Sequence, residues 1–291
     1  MQSEAASSLR AWVDYFRDLG VYDFYRRGEP AALPIGEEAE AYAGAVSTAG
    51  EVLTLAASAE PETASVTAQV DTPVRSPVSP NKLISFNDLA PLPATSVPVA
   101  DRGAALQAIQ KEIGDCTRCP LAYAGRHTIV FGDGSASARL MFVGEGPGAD
   151  EDMQGIPFVG KAGQLLNNMI AAMGLARTDV YIANIVKCRP PSNRVPEPIE
   201  ANTCSQFLLR QIDVVRPEVI VALGATAATY LLGAKQSLSN LRGRWHDCRG
   251  AKLVVTYHPA FLLRDPRQKT EAWKDLQMVM GEMGLATPAR K

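Results

Sequence analysis

Four cysteines have a spacing that suits a thiolate site for a metal. Cys116 and Cys119 are separated by two residues, and Cys188 and Cys204 by fifteen. Sites for zinc and for iron–sulfur clusters both accept one close pair and two further cysteines that the fold brings near. The spacing does not separate these metals, and a Cys-x-x-Cys pair in a reducing compartment can also be redox-active or simply buried. Cys248 lacks such a spacing and is expected to pack as a small apolar residue.

A glycine-rich segment could form a binding loop. The run Gly-Glu-Gly-Pro-Gly148 is followed by three acidic residues, and then by the segment from Gly155 to Gly163. The spacing matches neither Gly-x-Gly-x-x-Gly nor the Gly-Lys-Ser/Thr ending, and the four acids of this stretch would repel phosphate. A tight connection from a strand to a helix is the plain alternative.

A histidine stands at the beginning of the run His-Pro-Ala-Phe-Leu-Leu-Arg264. A lone histidine is most often structural. Here His258 directly follows a buried strand and precedes a proline that ends the strand, which favours a functional role. His127 and His246 lie in loop-like stretches and are expected to be structural.

The elements that must position these residues follow from the apolar pattern. Strands are predicted at four runs rich in Val and Ile, residues 139–143, 180–185, 218–223 and 253–257. Helices are predicted at residues 163–173, 197–215, 224–232 and 271–283. This alternation predicts a three-layer α/β/α fold with a central, mainly parallel four-stranded sheet. Ligands of such sheets bind outside the carboxyl ends of the strands, where the glycine segment and His258 lie.

The first 104 residues differ in composition from the rest. Residues 3–27 carry apolar side chains at helical spacing, and residues 43–99 are rich in Ala, Ser, Thr and Pro, which favours a disordered linker. The expected division is an N-terminal extension, 1–104, and a globular domain, 105–291. The extension is most simply a tethered tail, and the alternative is a helix that docks in the groove of a protein partner.

Charge and hydropathy narrow the class. Residues 1–104 carry 7 Lys and Arg against 14 Asp and Glu, and residues 105–291 carry 22 against 17, so the net charge of -2 hides a mildly basic domain. This excess suits nucleic acid but also ordinary surface charge. The sequence shows no secretory signal and no uninterrupted membrane-spanning run, so we expect a protein of a bacterial-type cytosol (cytoplasmic) without disulfides.

Taken together, the motifs from Cys116 to about Leu285 resemble the family 4 uracil-DNA glycosylases, the iron–sulfur branch of that superfamily. The shared segments are Cys-Thr-Arg-Cys119, Gly-Glu-Gly-Pro-Gly148, Pro-Phe-Val-Gly-Lys-Ala-Gly-Gln-Leu-Leu166, Asn-Ile-Val-Lys-Cys-Arg-Pro-Pro191, Leu-Arg-Gly-Arg-Trp245 and His-Pro-Ala-Phe-Leu-Leu-Arg264. The resemblance does not cover residues 1–104. It implies an enzyme that flips uracil out of single- or double-stranded DNA, hydrolyses its N-glycosidic bond and so initiates base excision repair.

The resemblance also implies a cofactor and site residues. A [4Fe-4S] cluster of structural rather than redox function would be held by Cys116, Cys119, Cys188 and Cys204. Uracil would be bound by Glu145, Gly146, Pro147, Phe158, Asn184 and His258, of which Glu145, Asn184 and His258 would be catalytic. DNA would be contacted by Leu262, Leu263 and Arg264, with the leucines entering the duplex and the arginine meeting phosphates.

The implied roles are distinct. Phe158 would stack on the flipped base, and Asn184 would donate to uracil O4 and accept from N3–H. His258 would donate a hydrogen bond to O2 as negative charge gathers on the departing base. Glu145 would position water or face the positive charge on the sugar. Better-studied branches carry Asp or Asn at the position of Gly146, so water activation is shared among Glu145, this backbone and the two acids Glu151 and Asp152, and Glu151 is the candidate for rejecting thymine.

Three alternatives stay open at this point. A covalent relative traps its abasic product on a histidine in an extra basic loop, but residues 241–245 run on without such an insert and leave only His246. A catalytically silent binding homologue would not need Glu145, Asn184 and His258 together. An electron carrier would leave the Asn and His motifs unexplained. A monomer is expected, because one base in one pocket needs no symmetry.

Overall fold

The computed structural model describes residues 83–286. The helix expected at residues 3–27 and most of the expected linker lie outside these residues. None of the helices within residues 83–286 is long and apolar enough to cross a membrane.

The core of the domain is one six-stranded sheet. Its strands are β1 (Asp133–Gly134), β2 (Leu140–Gly144), β3 (Tyr181–Asn184), β4 (Val219–Leu223), β5 (Trp245–Cys248) and β6 (Ala251–Thr256). They lie in the order β1-β3-β2-β4-β6-β5, with the central four parallel and the two edge strands antiparallel. The four central strands confirm the mainly parallel sheet, but the sheet has six strands rather than four.

Helices cover both faces of the sheet. They are α1 (Phe86–Leu89), α2 (Arg102–Ile113), α3 (Ala149–Gln154), α4 (Lys161–Ala172), α5 (Pro198–Val215), α6 (Ala225–Leu232), α7 (Leu238–Leu241), α8 (Pro259–Arg264) and α9 (Lys269–Met283). Alternate residues of each strand point to opposite faces. Met141 and Val143 pack in one core with α2, α5 and α6, whereas Leu140 and Phe142 pack in a second core with α4 and α9. These two cores confirm the three-layer α/β/α fold.

The chain already packs against the domain before residue 105. Phe86 of α1 is 1% exposed in the first core. The side chain of Arg249, between β5 and β6, donates to the carbonyls of Phe86 and Ala90 and forms a two-pronged ion pair with Asp213 of α5. The division at residue 104 stays a prediction, because residues 1–82 are not described, but residues 86–91 are tied to the fold.

Candidate active site

One cleft gathers the residues singled out at the ends of three strands. It has a volume of about 590 Å³ and lies at the carboxyl ends of β2, β3 and β6. Its lining includes Glu145, Gly146, Pro147, Phe158, Asn184, His258 and Arg264. A volume of this size suits a small organic ligand or an extruded nucleotide. The whole uracil-binding set that the resemblance implied is therefore brought together, although its members come from segments far apart in the chain.

Asn184 ends β3 and offers an unused acceptor to the cleft. The residue is 1% exposed, and its Oδ1 is buried without a hydrogen-bond partner among the described residues. Gly144, its partner on β2, makes room for this amide, because a Cβ there would lie 2.4 Å from Oδ1. A buried acceptor without a partner costs free energy unless a ligand donates to it.

Phe158 forms a wall of the cleft in a backbone conformation that side chains rarely adopt. Its φ is 53°, its ring is buried, and the ring centroid lies 5.6 Å from that of His258. The guanidinium of Arg177 donates to the carbonyls of Pro157 and Phe158 over 2.6 and 3.1 Å. Gly163 admits this turn, since a Cβ there would lie 2.0 Å from the Phe158 carbonyl oxygen. Strain of this kind persists only where neighbours enforce it.

His258 has one defined tautomer. Its ring caps α8 by accepting a 3.1 Å hydrogen bond at Nδ1 from the backbone N–H of Ala260, so the proton of the neutral ring is on Nε2. Burial and the nearby Arg264 charge lower the pKa of His258 to about 4, against a smaller opposing effect of Glu151. The ring is therefore neutral at pH 7 and presents an N–H donor.

Glu145 and Gly146 follow β2 at the floor of the cleft. Burial raises the pKa of the Glu145 carboxyl, and a hydrogen bond from Thr226 opposes this shift. At Gly146 a Cβ would lie 2.7 Å from Cγ2 of the buried Val186. Crowding by Val186 thus gives a physical reason for the absence of Asp or Asn here.

We expect Gly146→Ala to lower the free energy of unfolding by about 1–3 kcal/mol, because β-branched Val186 has little freedom to move away. Adding Val186→Ala should recover part of the loss caused by Gly146→Ala. Denaturant unfolding of both variants measures this. Gly281→Ala in α9 is the control, since nothing lies within 4 Å of the point that a Cβ would occupy, and there alanine should stabilise by about 0.5–1 kcal/mol. Additive effects of the two substitutions would contradict the crowding.

Two of the three acids of α3 accept hydrogen bonds from neighbouring segments. The carboxylate of Glu151 accepts hydrogen bonds from the backbone N–H groups of Gly148, Val159 and Gly160, so it fastens the two glycine segments to each other. Asp152 is fully buried and accepts from the backbone and ring of His127. Asp152 is absent from the cleft lining within the described residues. Glu145 and Glu151 both line the cleft, so the assignment of water activation stays a prediction.

Helix α8 exposes only part of its expected DNA-contacting set. Leu262 is 1% exposed in the domain interior, whereas Leu263 is 44% exposed and Arg264 is exposed at the cleft. Entry of Leu262 into a duplex stays a prediction, and it requires the side chain to leave the interior. Leu263 and Arg264 are placed where such contacts are possible.

The four cysteines surround a second, smaller cavity. Cys116, Cys119, Cys188 and Cys204 all line it as free thiols. Guanidinium groups of Arg118 and Arg126 donate to the sulfurs of Cys116 and Cys188, each over 3.4 Å, whereas burial raises the pKa of the Cys188 and Cys204 thiols. Within residues 83–286 no three Cys, His, Asp or Glu side chains are close enough to hold a single metal ion. Cysteine thiolates are ligands that zinc sites and iron–sulfur clusters both use.

Sequence reasoning missed several residues that hold the site in place. Arg177 supports the Phe158 turn. Arg194, in the loop before α5, forms a bidentate ion pair with the buried Glu200 of α5. Lys187 lies fully buried below Asn184. Only Lys187 carried a signal, as a charged residue inside an otherwise apolar run after a strand. The others act through partners that spacing does not reveal.

Comparison with known proteins identifies the family. The model of the uracil DNA glycosylase superfamily matches residues 131–277. A type-4 uracil-DNA glycosylase of Thermotoga maritima is 48% identical over 162 residues, which are 55% of this chain and 84% of that protein. Those of Archaeoglobus fulgidus and Pyrobaculum aerophilum are 40% and 42% identical, over 61% and 60% of this chain and 92% and 93% of theirs. The resemblance drawn from the motifs is thus confirmed, and the chain belongs to the type-4 uracil-DNA glycosylases of the uracil DNA glycosylase superfamily.

Proposed function

We propose that this enzyme flips uracil out of DNA into the cleft and hydrolyses the bond between uracil N1 and the deoxyribose, which initiates base excision repair. The observation that carries the proposal is the buried, unpaired Oδ1 of Asn184 beside the neutral ring of His258 in one cleft of the described domain. An extruded base that enters the cleft meets both groups, and the ring of Phe158 lines the same cleft.

Asn184 reads the base. Its Oδ1 accepts the N3–H of uracil, and its amide N–H donates to O4. Cytosine presents an acceptor at N3 and an amino group at C4, so it leaves the buried Asn184 amide mismatched. A site whose buried groups hydrogen-bond the substrate has a much lower kcat/KM for an analogue that cannot form those hydrogen bonds.

His258 stabilises the departing base. Its Nε2–H donates to O2, where negative charge develops as the glycosidic bond breaks. The ring does this as a neutral donor and transfers no proton. Because Nδ1 is held by the Ala260 N–H, the ring need not reorient during the reaction.

Glu145 faces the sugar side of the cleft. Its carboxylate attracts the water that attacks C1′ and favours the positive charge that builds on the deoxyribose. Gly146 and Pro147 add only backbone here. On the DNA side, exposed Leu263 takes the space that the flipped base leaves, and Arg264 meets a phosphate.

The four-cysteine set holds a [4Fe-4S] cluster in this proposal. Cys116, Cys119, Cys188 and Cys204 are its ligands, and it supplies cross-linking of the chain rather than electron transfer. The cluster would tie the segment after α2 to β3 and α5. It would thereby brace residues 189–198, a segment of which Pro190, Asn193, Arg194 and Val195 line the cleft.

Purified protein should be brown and hold about four iron atoms per chain. Serine at any of the four positions should lower the iron content and the stability, whereas Cys248→Ser should leave iron unchanged. Cys248 is the buried last residue of β5 and is absent from the second cavity within the described residues, which makes it the matched control. Iron measurement and visible absorbance check this. A colourless protein that contains zinc would overturn the cluster assignment.

The activity is tested with single-stranded and duplex oligonucleotides that carry one uracil. Release of free uracil and an alkali-labile site are expected, and no release from either substrate would refute the proposal. A protein–DNA adduct that survives boiling would instead favour the covalent relative. A covalent mechanism would need His246 in the cleft. Its ring is instead hydrogen-bonded to the Leu241 carbonyl and is absent from the cleft lining within residues 83–286.

A further inference from the structure

A buried ammonium group lies directly below the base reader. Lys187 is 1% exposed, and its Nζ donates to the backbone carbonyl of Asn184 over 3.0 Å and to Oε1 of Gln211 over 2.5 Å. Lysine is rarely buried to this extent, because its charge loses hydration. A buried ammonium group needs hydrogen-bond acceptors that compensate for the lost water, and its presence next to the site suggests a functional role.

Gln211 is held in one orientation by its other contacts. Its Nε2 donates to the Phe131 carbonyl over 3.0 Å and to the Tyr181 hydroxyl over 2.9 Å. Gly132 packs closely against these groups, because a Cβ at this position would lie 2.8 Å from the Tyr181 hydroxyl oxygen. Gln211 therefore offers Lys187 an acceptor that is fixed on two sides.

The same two residues lead to the cysteine set. Gln211 belongs to α5, the helix that carries Cys204, and the backbone N–H of Lys187 donates to the Cys204 sulfur over 3.3 Å. A thiolate-ligated cluster would supply negative charge at this place.

We propose that Lys187 and Gln211 form a positioning unit that couples the cysteine set to Asn184. The unit transmits the position of α5 to the end of β3, so the reader amide stays in register only while α5 is held in place. The inference rests on the proposed function for the reader role of Asn184, and on the four cysteines for its anchor.

The test uses the iron-loaded protein with Lys187→Met, which keeps the length of the side chain and removes the donors. Gln211→Met and Gln211→Glu are the second pair, because glutamate keeps an acceptor for Lys187 whereas methionine does not. Lys111→Met, on the exposed face of α2, is the matched control. Iron per chain, the rate of iron loss to a chelator, and kcat and KM for uracil in single-stranded DNA are measured.

We expect Lys187→Met and Gln211→Met to bind iron at first but lose it several-fold faster. Their kcat should fall by about 10- to 100-fold with KM changed little, since a buried polar group is left unpaired and the reader shifts. Gln211→Glu should recover part of kcat. Values within two-fold of wild type in both methionine variants, for kcat or for the rate of iron loss, would overturn the proposal. If wild type itself released no uracil, the proposed function would fail, whereas unchanged iron-loss rates would still refute the coupling by themselves.

Discussion

We expect Asn184→Asp to lower kcat/KM for uracil by about 10⁴-fold and to narrow the preference for uracil over cytosine. The carboxylate still accepts from N3–H, but it cannot donate to O4 and places a negative oxygen beside that atom. Cytosine has an amino group at this position, to which a carboxylate is a suitable acceptor. The substitution therefore harms uracil more than cytosine.

Matched oligonucleotides with uracil or cytosine at one position measure this ratio, and iron content shows whether the variant is folded. Asn240→Asp, on the exposed α7, makes the same chemical change away from the cleft and should leave both rates unaltered. An unchanged ratio of uracil to cytosine excision in Asn184→Asp would remove Asn184 from the reader role. A loss of iron would show that the variant tests folding instead.

The central strands and main helices could be predicted because their residues are fully buried in regular patterns. All five residues of β2 and of β4 are buried, which gives the unbroken apolar runs typical of parallel strands. The edge strands lack this pattern. β1 is the dipeptide Asp133–Gly134, and in β5 only Cys248 of the four residues is buried. Their pairing comes from the neighbouring strand rather than from their own composition.

Site residues could be predicted from the sequence where a polar side chain lies at the carboxyl end of a predicted strand. Asn184 and His258 directly follow or end buried strands, so the parallel sheet alone brings them to one edge. Two adjacent leucines in α8 are different, since only the contact of the helix with the interior decides that Leu262 is buried and Leu263 exposed. The partners of Arg177 and Gln211 are likewise fixed by packing between distant segments.

Replacement of His258 by alanine should lower kcat by about 10²- to 10³-fold, the usual loss for a donor aimed at developing negative charge. KM should change little, because the donor acts mainly when O2 becomes charged. The sequence holds two other histidines, and His246→Ala serves as the control, since the ring of His246 in β5 is hydrogen-bonded to the Leu241 carbonyl at the end of α7. Single-turnover rates on uracil-containing single strands separate chemistry from product release.

The pH dependence gives the same residue a second test. With its pKa at about 4, His258 is neutral in the folded protein, whereas the unfolded chain binds a proton below about pH 6.5. Between these two pH values the unfolded state binds more protons at His258 than the folded state does. The contribution of His258 to the free energy of unfolding is therefore fully present above about pH 6.5 and is lost as the pH falls toward 4. His258→Ala should remove about 3 kcal/mol of this acid sensitivity.

Wild-type kcat should show no step near pH 6.5. Such a step, abolished in His258→Ala, would mean that the ring titrates freely and that the neutral donor is the wrong description.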